Sequence, residues 1–231
     1  DLTPLGFHAM ILSPNGRVFI DPYDRGNTQY YISYYTSDYI KKGASLDCEL
    51  FIEEGKLEEL TTLRQNVVLT PTGSQLRTYR LCVAATGEYT IYHGGTVIAG
   101  QAAVVTSVNR VNGVYEKEVA VRMVLIANNS SVIYTNSSTD PYSNNNGSAM
   151  LSQNISNLNS VIGSANYDIG HVFSTGGGGV AYLGCVCTSS KAGGVTGSSA
   201  PVGDPFDIDY VAHEIGHQFG GNHSFNGTTG S

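Results

Sequence analysis

The stretch Tyr79-Arg-Leu-Cys-Val-Ala-Ala85 reads as a strand, and the helix and second strand after it decide the architecture. From Thr96 to Tyr115 the apolar residues Val97, Ala102, Val105, Val108 and Val111 recur at helical spacing. Val119-Ala-Val-Arg-Met-Val-Leu-Ile126 then reads as a buried strand. Strand, helix and strand fill about 50 residues, the length of a right-handed crossover, so a parallel sheet is expected. The fold class predicted is α/β (α+β), with a twisted and mostly parallel sheet.

Downstream, Asn128 to Gly147 is a Ser/Asn-rich loop interrupted by Val132-Ile-Tyr134, a candidate short strand. Leu151, Ile155, Leu158 and Ile162 mark a second long helix from Met150 to Ile162. Asp168-Ile-Gly-His-Val-Phe173 comes next, then the glycines 176–179 and Val180-Ala-Tyr-Leu-Gly-Cys-Val-Cys187. The glycines lack the Lys that a phosphate-binding loop requires, so they are read as a turn into an edge strand. Cys185 and Cys187 are two apart on that apparent strand and face one side, which disfavours a bond between them.

Upstream, Phe7-His-Ala-Met-Ile-Leu12 and Arg17-Val-Phe-Ile20 flank Ser13-Pro-Asn-Gly16, a strong hairpin signal. Gln29-Tyr-Tyr-Ile-Ser-Tyr-Tyr35 extends it to a meander. The polar and acidic passage after the meander has no sustained period, so residues 37–74 are read as a mostly irregular covering segment. The boundaries expected are 1–74 and 75–231.

Lys plus Arg number 12 against 19 Asp plus Glu, and the net charge of -7 argues against nucleic acid or anionic lipid as partner. No apolar run approaches the roughly 20 residues of a membrane span. Asp1 is preceded by no basic or apolar leader, and the expectation is that any signal peptide has been removed or left out. The sequons at Asn129, Asn136, Asn146, Asn154 and Asn226 are ordinary in so Asn-rich a chain.

Chemistry concentrates in His213-Glu-Ile-Gly-His-Gln-Phe-Gly-Gly-Asn-His223. Asp207 reads as the N-cap of a helix from about Ile208 to Phe219, which Gly220-Gly221 ends. Residues four apart share a helical face, so His213 and His217 direct ring nitrogens at one ion. Glu214 beside them reaches a water on that ion without ligating it, the position of a general base. Gly220 turns the chain and His223 completes three ligands, leaving the open position of a catalytic zinc. His8, His93 and His171 are read as surface or packed residues with no metal role.

The extended His-Glu-x-x-His-x-x-Gly-x-x-His pattern resembles that of the metzincin zinc endopeptidases, and within them the reprolysin-like (adamalysin) branch. Val108-Asn-Arg-Val-Asn-Gly-Val-Tyr115, Tyr167 to Phe173, and Gly179-Val-Ala-Tyr-Leu-Gly184 followed by Cys187 are similar to its long helix, second-helix exit and edge strand. The resemblance covers about residues 75–223, and residues 1 to about 74 resemble the later part of a propeptide. It implies a secreted zinc endopeptidase acting on proteins or peptides, in which Val180, Ala181, Tyr182 and Leu183 form an edge to which substrate adds as a strand. It also implies a Met-turn after His223. No Met follows Met150, so the expectation is a chain that lacks its C-terminal subdomain. Ser224 stands where the branch has Asp, and Arg80 where some members have a calcium-binding Glu. Calcium is compatible with an exported protease, but no loop here offers a clear oxygen cluster.

Cys48 stands alone in the propeptide-like segment and is a candidate zinc ligand that enforces latency, with Asp47 as the alternative. Lys41, Lys42, Arg77 and Arg80 are candidate processing points. Two other readings stay open: a non-catalytic zinc-containing binding module on a protease scaffold, and a metalloendopeptidase of another metzincin branch.

Overall fold

A computed structural model describes residues 1–24, 26–39, 48–52 and 75–223. Asp47, Lys41, Lys42, Ser224 and the sequon at Asn226 lie outside the described residues. The chain begins with β1 (Leu2–Thr3) and β2 (Gly6–Phe7), which pair with each other. The meander is β3 (Ala9–Ser13), β4 (Gly16–Pro22) and β5 (Tyr31–Tyr35), antiparallel throughout. Its first turn falls at Pro14-Asn15, and Gly16, which opens β4 opposite Ser13, takes φ +117.

The remaining strands are β6 (Cys48–Phe51), β7 (Arg77–Ala85), β8 (Val121–Leu125), β9 (Ile169–Ser174), β10 (Gly179–Tyr182) and β11 (Gly194–Gly197). They form one sheet in the order β6-β10-β11-β9-β7-β8. Every neighbouring pair is parallel except β10 with β11. Helix α1 (Gly87–Tyr92) precedes the crossover helix α2 (Val97–Glu118), and α3 (Gly147–Val161) is the second long helix. Thr96 caps α2 by accepting from the Ala99 amide, and Asn146 caps α3 by accepting from Ala149. A last helical run comprises α4 (Gly203–Phe206), a π turn over Asp207–Val211, and α5 (Ala212–Gln218).

Alternation along β7 sends Leu81, Val83 and Ala85 to one face and Cys82 and Ala84 to the other, all fully buried. On the first face Val104, Val108 and Val111 of α2 pack with Phe173 and with Ile215 of α5. On the second, Met150, Leu151 and Leu158 of α3 pack with Val172, Val180 and Val195. Helices on both faces explain why the central strands are apolar runs.

Several sequence readings are corrected. Cys48–Phe51, inside the passage read as irregular, is a strand because the free side of β10 offers it a ladder. Strand β8 lies at the margin of the sheet, with Arg122 and Val124 exposed, so it is half-buried rather than buried. Val97 is exposed and does not belong to the buried stripe of α2. Val132-Ile-Tyr134 makes a single bridge, Ile133 to Ala85, after a short 3₁₀ turn. Strand β10 ends at Tyr182, so Leu183 and the two cysteines after it lie beyond the strand. Cys185 is buried and Cys187 is exposed at φ +65, and the common face predicted for them does not exist.

Candidate metal centre

The helical run ending in α5 begins at Gly203, not at Asp207. Asp207 is not a cap but a buried residue within the run, bonded to Ser107 and Arg110 of α2. The far end follows the reading of the motif. Gly220 takes φ +95, a left-handed conformation suited to glycine, its amide donates to His217 O at 2.9 Å, and that of Gly221 donates to Gly216 O at 2.9 Å. This turn returns His223 toward the helix.

The three Nε2 atoms then stand 3.0 Å (His213–His217), 3.2 Å (His217–His223) and 3.3 Å (His213–His223) apart. Ligand nitrogens at 2.0–2.1 Å from a tetrahedral zinc are about 3.3 Å from one another, so the spacing fits the ion. His217 Nδ1 donates to Gly221 O at 2.6 Å, which fixes the tautomer and leaves the Nε2 lone pair free to ligate. Burial lowers the pKa of His217 and favours the same neutral ring.

Cys48 reaches this cluster from the N-terminal segment. Its Sγ lies 3.4 Å from His217 Nε2 and 3.2 Å from His223 Nε2, close to the sulfur–nitrogen edge of a tetrahedral zinc site. Cys48 and the three histidines are the only metal-capable group of three or more such residues among those described. Burial, with the neighbouring Glu214 carboxylate, pushes the thiol well above its ordinary range; a bound cation would reverse that balance. His8, His93 and His171 lie outside the group.

Glu214 is fully buried, with the Cys48 thiol beside its carboxylate. Burial pushes its pKa to about 8. A buried carboxyl beside a thiol and three converging imidazole nitrogens is the arrangement expected of a site that takes a cation and a water. Room for it is made by Gly179, where a Cβ would stand 2.1 Å from Glu214 Oε1. The sequence reading took that glycine only as part of a turn.

Other residues hold the helix that carries the site. Tyr115 OH donates to Ala212 O at 2.6 Å. Gln218, fully buried, donates to Gly170 O at 2.8 Å and bonds His171 Nδ1 at 2.8 Å, while His171 Nε2 meets Thr196 Oγ1 at 2.8 Å. His171 is therefore a packed residue that ties α5 to β9 and β11.

The edge predicted at Val180 to Leu183 is β10 for its first three residues. Within residues 75–223 it is the outermost strand at that end of the sheet, and β6 covers it. Val180 pairs with Glu49, Ala181 with Leu50 and Tyr182 with Phe51, in parallel, and the Leu183 amide donates to Phe51 O at 2.9 Å.

A family model described as Metallo-peptidase family M12B Reprolysin-like matches residues 75–230. The chain belongs to this reprolysin-like family. Its members are metallopeptidases whose usual metal is zinc, and the mixed sheet with its antiparallel β10 is consistent with the metzincin-like fold. No curated protein matches the chain. Among the described residues no helix is long and apolar enough to cross a membrane.

Proposed function

We propose that this reprolysin-like chain is a zinc-dependent endopeptidase held latent by its own N-terminal segment, residues 1 to about 74. The observation that carries the reading is the convergence of His213, His217, His223 and Cys48 around one tetrahedral position, beside a buried Glu214. Export is the setting that the family implies.

Zinc held by the three histidines would supply Lewis acidity for the scissile carbonyl and would acidify its water. Glu214 takes the proton from the attacking water on a carboxylate oxygen and hands it to the departing amine nitrogen. Gly179 keeps that carboxylate within reach of the cleft. Once β6 is gone, the main chain of Val180 to Tyr182 is free to bond an extended peptide, whose backbone is common to all protein substrates. Latency has two parts in this scheme. The Cys48 thiolate fills the position that water needs, and β6 fills the ladder that substrate needs.

Zinc-edge X-ray absorption with metal stoichiometry on the purified chain tests the ligand set. One sulfur at about 2.3 Å beside three nitrogens is expected; a shell of light atoms alone overturns Cys48 as ligand. Glu214→Ala is expected to keep zinc and lose turnover after the N-terminal segment is removed, and cleavage by that variant overturns the role of Glu214. If the zinc-loaded wild type cleaves nothing once freed of that segment, the peptidase reading fails and a binding module takes its place.

A further inference from the structure

Away from the metal, a second convergence of charge is buried between the N-terminal sheet and α2. The Arg110 side chain is 5% exposed, and its Nη1 donates to Asp207 Oδ2 at 2.8 Å. Its Nη2 donates to Asp21 Oδ1, on β4. The ring of Phe19, two residues earlier on the same face of β4, lies over the guanidinium at 4.9 Å. Asp21 is itself held in the meander, bonded to His8 Nδ1 at 2.7 Å and accepting from Tyr34 OH at 2.7 Å. One planar cation is thus gripped from two sides. Asp207, steadied by Ser107, holds it from the catalytic part, and Asp21 and Phe19 hold it from the N-terminal sheet.

Around it the contact is uneven, with Leu5 packed against the core of residues 75–223. Met10 fills the notch left on α2 by Gly113, where a Cβ would stand 2.1 Å from Met10 Cε, and Asn109 Nδ2 donates to Asp1 Oδ2 at 3.0 Å. Beside them is a cavity of about 690 Å³, lined among the described residues by Tyr34, Tyr39, Tyr89 and Arg110. Apolar contact at Leu5 and Met10 is thus interrupted by a cavity at this interface. A carboxylate buried there without its cation would be strongly unfavourable, so the pair selects one docking geometry more than it adds raw stability. The guanidinium fork also binds two carboxylates at fixed angles, which a lysine cannot reproduce.

We propose that Arg110 is the receptor by which residues 75–223 recognise the N-terminal sheet, with Asp21 as the inserted ligand and Asp207 as the residue that keeps the receptor in place. The partner is the chain's own segment 1–39, read through one carboxylate and one aromatic ring. This anchor is separate in sequence and chemistry from Cys48 at the metal. Because Asp207 still pairs Arg110 when Asp21 leaves, the receptor outlives a cleavage in the connecting residues, and the severed segment can rebind. Only the contribution of this docking to latency rests on the function proposed above.

The test is the exchange rate of the Arg110 Nη protons, read by NMR on the full chain, both stripped of metal and loaded with zinc. In the wild type they exchange slowly. Asp21→Asn, which preserves shape and can still accept from Tyr34, is expected to speed them about tenfold or more while the β3–β5 ladder amides stay protected, and Asp21→Glu is expected to restore part of the protection. An unchanged Arg110 rate in Asp21→Asn overturns the proposal. Joint loss of protection at Arg110 and in the ladder also overturns it, because Asp21 would then serve the meander alone. No readout requires turnover, so failure of the zinc or Cys48 assignments leaves the result interpretable.

Discussion

Strands β4 and β7 both lie inside a sheet, flanked by partners on each side, but they are built differently. The last five residues of β7 are fully buried, with helices against both faces. In β4 only Phe19 is buried, and its neighbours Ile11, Leu12, Tyr31, Ile32 and Tyr35 are exposed. The larger sheet makes its own core, whereas the three-stranded sheet leaves most of its apolar side chains exposed and is held together mainly by its ladders. If the N-terminal segment is removed as proposed, contacts at Arg110, at β10 and of Leu5 with the core are lost, while the helices on both faces of β7 remain.

The comparison is broken most severely by cutting into the better-built side. Leu81→Ala removes a fully buried side chain from β7, and a loss of about 2–5 kcal/mol is expected in denaturant unfolding. His171 gives the next largest effect, through pH. Burial depresses its pKa to about 4, so the folded chain keeps it neutral where the unfolded chain, at about 6.5, already binds a proton. Stability from this group is therefore full above pH 6.5 and falls as pH drops toward 4, by about 3 kcal/mol in all. Unfolding curves of the metal-free wild type and His171→Gln should differ in slope across that window and run parallel below it. Parallel curves throughout would mean that His171 does not titrate as its burial requires.

How far these features could be read in advance depends on the range of the interaction. The two His–His spacings and the glycine turn are local, so the convergence of His213, His217 and His223 was legible as helix geometry plus a left-handed bend at Gly220. The β7-α2-β8 crossover was equally legible, because apolar period and length are properties of one continuous stretch. Asp207 misled for the opposite reason. A carboxylate before an apolar run has the signature of a cap, yet its partners Ser107 and Arg110 stand 100 and 97 positions away. Leu46-Asp-Cys-Glu-Leu50 does alternate, but so short a run inside a polar passage is a weak signal, and the partner strand β10 lies more than 120 positions away. Gly179 looked like one turn glycine among four, and its proximity to Glu214 depends on the packing of β10 against α5.

Gly179 offers a sharper probe of the catalytic side, since a Cβ there would meet Glu214 Oε1 at 2.1 Å and Tyr210 Cε2 at 2.4 Å. Displacement of the carboxylate by about 1 Å is worth about 100-fold in rate. Gly179→Ala is therefore expected to keep zinc and the fold but lose about that factor in kcat/KM once the N-terminal segment is removed. Wild-type activity in the variant would show that Glu214 needs no such clearance, or is not the base.

The smallest effect expected tests the other side. Ile32 on β5 is 42% exposed, so Ile32→Ala should change global unfolding by no more than about 0.5 kcal/mol. The same truncation in β7 is worth several times more, although both residues are aliphatic and both lie in strands. The difference comes from what covers them: α2 and α3 enclose β7, while Ile32 faces the open cavity beside Arg110 together with Tyr34. If Ile32→Ala proved as costly as Leu81→Ala, the N-terminal sheet would have a core shared with the rest of the chain. Its removal would then threaten the catalytic layers instead of releasing them, and a latent segment anchored mainly at Cys48 and Arg110 would no longer describe the molecule.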